Sequence, residues 1–538
     1  MAEQNNNLSR FERVIALFTK VRAGEGRSIV LFSLYALVLM LSYYLFKTMR
    51  ETLILTEFSA EVRSYATAAI TLMLFFIVPL YGVLFRQGNK EQLIRWITLF
   101  FASNVLIFYM MGKAGMEFSF LYYIWVGIFG VMMIAQFWAF AADHFNIKTG
   151  QRLFPIIMAG QAFGAVIGAQ LFSLLFPHLG AYNLMLVAGA LLAGTTWFTG
   201  RSGRSVPKES AAVYAEPTAE DEKQLDNVLG GFSVIRNNRY LMLIAAVAVL
   251  LNWINSTGEY IFAEWVSTLA ANADAEKSST IARLYGIYFT AATVLGFLLQ
   301  IFLVSRIYRW IGVGGALLIL PIIAMVGYGM IVFVPVFSLI WLVKVVENAT
   351  DYSIMNTTRQ AIYLPLTQRE KYEGKTAIDT FFWRIGDLIQ AGVIYIGLHW
   401  LGFEITHFAL LNMVLASVWI WLAVLIGRRY HQLAKTNISS VPPTLFRPIP
   451  DVYAPAGSPL AFELDHDHFH DTDPGDVLTL SACMENSDEL PAWLSFEAVT
   501  RAFAGMVPTD VEEVTALTVT ATDFDGLCIS TRLIIRHR

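Results

Sequence analysis

Charge is scarce in this chain: Asp, Glu, Lys and Arg make up 15% of its 538 residues, against roughly a quarter in ordinary soluble proteins. The charge that is present is nearly balanced, with a formal net of −4, so no strongly basic surface exists to hold a nucleic-acid polymer. Cysteine is almost absent. Cys483 and Cys528 stand alone near the C-terminus without ligand spacing, which argues against a disulfide framework or zinc site and leaves a reduced pair as the default. No G-x-x-x-x-G-K-[ST] pattern occurs, so pumping driven by ATP hydrolysis is not indicated. No cleavable leader is expected either. Residues 1–27 are polar and charged, and the first apolar run is too long for a signal core.

What the chain has instead is apolar surface. It is 56% hydrophobic with a mean hydropathy of +0.54, more than one soluble core can hide, so lipid must act as solvent. A span needs about 20 mostly apolar residues. Such runs lie near 28–48, 64–85, 93–112, 118–142, 153–176, 181–199, 240–262, 284–304, 308–331, 333–351, 377–400 and 404–427. The expected fold is therefore an all-α polytopic bundle of twelve transmembrane helices in a 6+6, major-facilitator-like arrangement, with substrate near the midplane between the halves. The expected layout is a cytoplasmic segment 1–27, bundles 28–199 and 240–430 joined by a polar linker 200–239, a second linker 431–443, and a C-terminal domain 444–538.

Lys and Arg mark the cytoplasmic side. Arg27, Arg86, Lys90, Arg95, Lys148, Arg152, Arg201, Arg204, Arg306, Arg309, Arg359, Lys375, Arg428 and Arg429 all fall in alternate breaks, which puts both termini in the cytoplasm. The main exception is 50–63, where Arg50 and Arg63 accompany Glu51, Glu57 and Glu61. Trp125, Trp400 and Tyr430 read as interfacial anchors. Gly160, Gly164 and Gly168 recur every fourth residue and read as a face for close helix contact.

Ionisable residues inside spans are costly and usually face a cavity or a partner. Lys47, Arg50 and Glu51 share one helical face. Asn252, Asn255 and Glu259 form a second stripe, Lys344, Glu347 and Asp351 a third, and Arg384 with Asp387 a fourth. One reading is a shared polar pathway for a small anionic substrate; the other is internal pairing, such as Lys344 with Glu347, that makes insertion tolerable. No catalytic residue emerges, and an enzyme is not expected.

The run 352–366, YSIMNTTRQAIYLPL, followed by GKTAID at 374–379 and RIG at 384–386, resembles the YSLFDPTKEMAYIPLD, GKAAID and RxGK pattern of the nucleotide transporters that include bacterial and plastid ATP/ADP translocases. FKTMRETL at 46–53 and FWAFA at 137–141 are similar to that family's RDTKDVL and FWGFAN segments. The resemblance covers about 28–430 and implies a secondary transporter of a nucleotide or other organic anion in a bacterial inner membrane. Of the two lysines and two glutamates that the family uses for ATP/ADP exchange, the first lysine falls on Arg50. The glutamates fall on Val126 and Asn255, and the second lysine on Asp387. Losing three of four charges argues against strict ATP/ADP exchange, since a triphosphate leaving water needs cations.

After 439–443, SSVPP, short alternating segments begin. Those at 460–464, 477–481, 517–521 and 529–535 read as half-buried strands of a β-sandwich. The segments PIPD at 448–451, FHDTDPGDVLT at 469–479, LPAWLSF at 490–496 and TATDFDG at 520–526 resemble dystroglycan-type cadherin-like, Ig-related domains, with Arg501 where a turn glycine is usual. Asp471, Asp473, Asp476, Asp523 and Asp525 are candidate Ca2+ ligands, or turn residues; no other cofactor is required. His466, His468 and His470 alternate onto one strand face, as a metal group or a solvated loop. Such domains usually work outside the cell, in tension with a cytoplasmic C-terminus. The alternative function is a non-transporting membrane-anchored scaffold whose β domain recruits a protein partner.

Overall fold

The computed structural model describes residues 25–86, 90–145, 147–206, 230–273, 275–367, 370–437, 443–465, 467–471, 478–485, 487, 489–498, 500–511, 513–523 and 527–537. The chain divides into two compact units, Met1–His431 and Gln432–Arg538.

The first unit is helical: α1 Gly26–Glu57, α2 Ala60–Arg86, α3 Lys90–Lys113, α4 Ser119–His144, α5 Ile147–Arg204, α6 Gly230–Asn237, α7 Arg239–Ala271, α8 Lys277–Phe302, α9 Val304–Phe333, α10 Phe337–Thr350, α11 Trp383–His399 and α12 Ile405–Asn437. Among the described residues ten helices are long and apolar enough to cross a membrane. Two departures from the expected runs explain that number. The runs 153–176 and 181–199 are joined in the 58-residue α5, broken where Gly180 turns to φ 69°. That length, at 1.5 Å per residue, is about 87 Å, roughly twice a bilayer. The run 333–351 shrinks to the 14 residues of α10, which continues through a wide turn at Asp351–Met355 to Ala361.

α1 and α5 meet backbone to backbone. A Cβ on Gly160 would stand 2.6 Å from the Ser33 carbonyl oxygen, one on Gly168 2.6 Å from that of Leu41, and one on Gly164 closer still to that of Leu37. Trp125 is not an interfacial anchor: it is 9% exposed and stacks on Phe129 at 5.4 Å within a group that includes Phe46, Phe101 and Phe108. A large ring in a helix-rich interior gains more from neighbouring rings than from the interface. Trp400 is exposed against Tyr395.

The second unit holds nine short strands among the described residues: β1 Thr444–Leu445, β2 Val452–Tyr453, β3 Pro459–Glu463, β4 Phe469–His470, β5 Thr479–Met484, β6 Leu494–Glu497, β7 Ala502–Met506, β8 Val514–Thr522 and β9 Cys528–Arg536. One sheet runs β2-β9-β8-β5 and another β3-β7-β6, with β1-β4 apart. β8 alternates inward Thr515, Leu517, Val519 and Ala521 with outward neighbours, the period-2 pattern of a half-buried strand. Leu460 and Phe503 from one sheet join Leu517 and Leu533 from the other in one core. Among the described residues Arg501 is the non-glycine residue found at positive φ, 57°.

Two expectations follow. Gly164→Val should lower the melting temperature of the purified protein by an amount equivalent to at least about 2 kcal/mol; an unchanged melt would mean that α1 and α5 do not touch at this site. Arg501→Gly should stabilise the β unit by about 1 kcal/mol, the cost of a side chain in the left-handed region. Chemical unfolding followed by the β unit's tryptophan, Trp493, would show it, and an unchanged or earlier transition would remove the strain.

Candidate functional site

A cavity of about 240 Å3 lies within the helical unit, lined by residues of α1, α2, α4, α7, α8, α10 with its continuation, and α11. Eight of the residues in the polar stripes read from the sequence, Lys47, Arg50, Glu51, Asn252, Asn255, Glu259, Arg384 and Asp387, line it. Lys344 and Glu347 lie just behind the wall and are buried.

The charges are interlocked. Glu51, 1% exposed, accepts from Arg50 Nε at 3.0 Å and from Arg63 Nε at 2.6 Å. Arg63 reaches on through Nη2 to Glu259 Oε2 at 3.2 Å. Glu259 also accepts from Tyr288 Oη at 2.9 Å and Asn348 Nδ2 at 3.1 Å, and stands 3.7 Å from Lys344 Nζ. Lys344, fully buried, donates to Glu347 Oε2 at 2.9 Å and to Asn255 Oδ1 at 3.1 Å, while Tyr328 Oη donates to Glu347 at 2.7 Å. The Lys344–Glu347 pairing read from the sequence is thus present. The partner of Glu259 is Arg63, not Arg50; Arg50 lies instead over the Tyr123 ring, 4.4 Å from its centroid.

A second polar group sits on α11. Asp387 accepts from Ser256 Oγ at 2.6 Å and Thr71 Oγ1 at 3.3 Å, with Arg384 Nη1 at 3.8 Å. Gln390 Nε2 donates to Ser64 Oγ at 3.2 Å. The Thr71–Asp387 and Gln390–Ser64 bonds, like Arg63 to Glu259, join helices of the first half of the chain to helices of the second.

Lys47 is different. Among the described residues it has no carboxylate within 4.0 Å; its ammonium lies 5.1 Å from the Tyr44 ring, 4.6 Å from Phe289 and 5.7 Å from Tyr352, and 3.4 Å from Tyr352 Oη. Aromatic faces stabilise a cation without neutralising it, so this charge stays available to an anion in the cavity.

Sequence spacing did not pick out Arg63, Tyr43, Tyr123, Asn348, Tyr352 or Gln390 as site residues. The signal for Arg63 was present, since it broke the positive-inside pattern. Asp351 lies beside the site without lining the cavity.

In the β unit Asp473, Asp476, Asp525 and His466 lie outside the described residues. Asp523 accepts from the Leu527 N–H at 2.8 Å, closing a turn. His468 is buried with Nδ1 3.1 Å from the Arg447 carbonyl, whereas His470 is exposed on β4, so these two do not share a face. Among the described residues no cluster of three His, Cys, Asp or Glu side chains is placed to hold a metal.

Residues 442–536 match the He_PIG family of Ig domains, so the C-terminal unit is Ig-like. The chain is 21% identical over 343 residues to ADP,ATP carrier protein 1 of Chlamydia pneumoniae, covering 56% of this chain and 65% of that protein. It is 23% identical over 311 residues to ADP,ATP carrier protein 1 of Chlamydia muridarum, covering 49% and 56%. The chain therefore spans less than two thirds of these carriers' length. Among solved structures, nucleoside transporter NupG shares 12% identity and a TM-score of 0.52, covering 76% of this chain and 99% of that one. The POT family transporter PepTSo shares 14% and 0.51, covering 76% and 98%. A bacterial homologue of the iron transporter ferroportin shares 11% and 0.52, covering 75% and 98%. At such identities the likeness is one of fold. The helical unit shares its fold with these transporter structures, and its ten long apolar helices make the chain an integral membrane protein.

The ion network can be tested directly. Lys344→Met should destabilise the protein by about 3–5 kcal/mol, because buried Glu347 loses its cation and Glu259 is left with Arg63 alone. Adding Glu347→Gln should restore part of the loss. Thermal unfolding of the single and double variants in detergent measures it, and a single variant that melts like the parent would refute the pairing.

Proposed function

We propose that the chain is a secondary transporter of a nucleotide or other organic anion, working by alternating access through twelve spans arranged six plus six. In this arrangement α5 contributes two spans and α10 with its continuation another, and both termini face the cytoplasm of a bacterial inner membrane. The observation that carries the reading is the cavity's charge. Lys47, Arg50, Arg63 and Arg384 face Glu51, Glu259 and Asp387, Lys344 and Glu347 cancel behind them, and one cation, Lys47, has no carboxylate partner among the described residues. An anion entering would complete the balance that the protein leaves open. Tyr43, Tyr123, Phe289 and Tyr352 on the wall offer flat faces to a base or other planar group. The likeness to ADP,ATP carriers and to a nucleoside transporter fold supports the same substrate class. The reversed charge at Asp387 and the neutral Asn255 and Val126 argue against strict ATP/ADP exchange.

Lys47 makes the first contact with the anionic group in this reading. Arg50 and Arg63 hold Glu51 and release part of their field to the substrate. Glu259 and Asp387 are the carboxylates placed to trade partners when the halves move. The Ig-like unit, with the cadherin-type loop pattern and its aspartates as Ca2+ ligands, would serve a separate contact with a protein partner.

The test is uptake of labelled ATP, ADP and a panel of organic anions into liposomes holding the purified protein, with and without internal counter-substrate. We expect saturable flux that Lys47→Ala reduces more than about tenfold and Lys47→Arg partly retains, because the loss is one charge-assisted contact. Arg50→Ala rescued by Glu51→Gln would identify Arg50 as a partner of Glu51 and not of the substrate. No flux for any anion would overturn the reading and leave a membrane-anchored scaffold acting through its β unit.

A further inference from the structure

At the end of the bundle where α1 begins, α3 begins and α5 ends, four arginines surround a second cavity of about 690 Å3: Arg27, Arg95, Arg201 and Arg204. Among the described residues none of the four is within 4.0 Å of a carboxylate. The nearby acid Glu91 faces His144 at 4.0 Å. Arg95 lies against the backbone of Gly200, in space a Cβ there would fill, and its Nε is buried without a hydrogen-bond partner. Four like charges around one space repel each other and lower the stability of the fold unless an anion sits among them.

The walls say what kind of anion. Thr196 and Ser205 add hydroxyls to the arginines, and Leu99 and Trp197 complete the lining. Leu99 is 43% and Trp197 51% exposed, with Arg201 4.3 Å from the centre of the Trp197 ring. An adjoining cavity of about 490 Å3 shares Arg27, Trp197 and Arg201 and runs on to Val30 and Leu31. A site that is cationic at one end and apolar along the other, with tryptophan at the boundary, fits a headgroup with its acyl chains. A free phosphate would have no use for the apolar part.

We propose that the arginine-lined cavity between α1, α3 and α5 binds the phosphate of an anionic phospholipid whose acyl chains lie along Val30, Leu31, Leu99 and Trp197. Arginine suits this task because its planar fork donates two parallel hydrogen bonds to phosphate oxygens and keeps its charge at any physiological pH. The site lies apart from the transport cavity and shares no lining residue with it.

The experiment uses the full chain, delipidated in detergent, with native mass spectrometry counting retained lipid and thermal unfolding reading its effect. Phosphatidylglycerol should bind saturably and raise the melting temperature, whereas phosphatidylcholine, inorganic phosphate and glycerol 3-phosphate should do so much less. Arg95→Gln/Arg201→Gln/Arg204→Gln should weaken phosphatidylglycerol binding by more than about tenfold. Arg428→Gln/Arg429→Gln, at the end of α12, should not. Should the triple variant fail to fold, a photoactivatable phosphatidylglycerol on the parent protein should label peptides containing 91–100 and 196–205. Equal binding of phosphatidylcholine, equal protection by free phosphate, equal loss in the α12 control, or labelling elsewhere would each overturn the proposal.

Discussion

An ion in the interior of a membrane helix bundle must find its counter-ion in the protein, and the chain Glu51–Arg63–Glu259–Lys344–Glu347 meets that constraint with alternating sign across four helices. Each internal member touches two neighbours, so removing one charge leaves those on either side with fewer partners. Tyr288, Tyr328, Asn255 and Asn348 then satisfy the oxygens and protons left over. Because Arg63 belongs to α2 and Glu259 to α7, the same network joins the first half of the chain to the second. The aromatic packing, the glycine contact of α1 with α5 and the shape of the cavity are arranged around helices whose polar faces are already fixed by charge.

Much of this was legible because membrane sequences write polar faces in steps of three and four. Lys47, Arg50 and Glu51 on α1, and Asn255 and Glu259 on α7, follow from spacing alone and do line one cavity. Arg63 was harder to place: it sits near the start of α2, where a loop charge is the ordinary reading, and only its partners across the bundle show that it is interior. Its departure from the alternation of cationic breaks has the same cause, since Arg63 is an interior side chain paired with Glu51 and Glu259 and not a loop charge. Trp125 was misplaced for a related reason, as its position near a helix end says nothing of the rings packed around it. In the β unit, the departure at Arg501 from a glycine pattern was readable as sequence and appears in the backbone as positive φ. The span boundaries at Gly180 and in α10 depend on backbone geometry that hydropathy does not report.

Positions where the resemblance to nucleotide carriers loses a charge are not left as gaps. Asn255 uses its side-chain oxygen to take a hydrogen bond from Lys344 at 3.1 Å. Asp387 is held by the hydroxyls of Ser256 and Thr71, with Arg384 alongside. Val126 is fully buried. Neutral and reversed residues at these sites are therefore built into the packing, which lowers the number of free cations facing the cavity and leaves Lys47 as the one without a carboxylate among the described residues.

The contacts flanking the cavity differ in strength from those in its wall. His399 to Glu61 at 2.7 Å lies at an exposed rim, with His399 51% exposed, and such pairs contribute at most about 1 kcal/mol. Phe75 stacked on Phe381 at 5.3 Å joins the same two helices' neighbourhood nearer the other end, by dispersion and not by charge. Relative motion of the halves can therefore begin at these rims at small cost, but it cannot finish there: Arg63 must leave Glu259, or the two must travel together. In the proposed function an anion near Lys47 and Arg50 would change that choice, because it would offer Arg63 a second negative partner while Glu259 keeps Lys344. If the chain is the transporter proposed above, the buried network would hold the empty protein against full opening and an anionic ligand would lower that barrier, the coupling that separates a carrier from a channel.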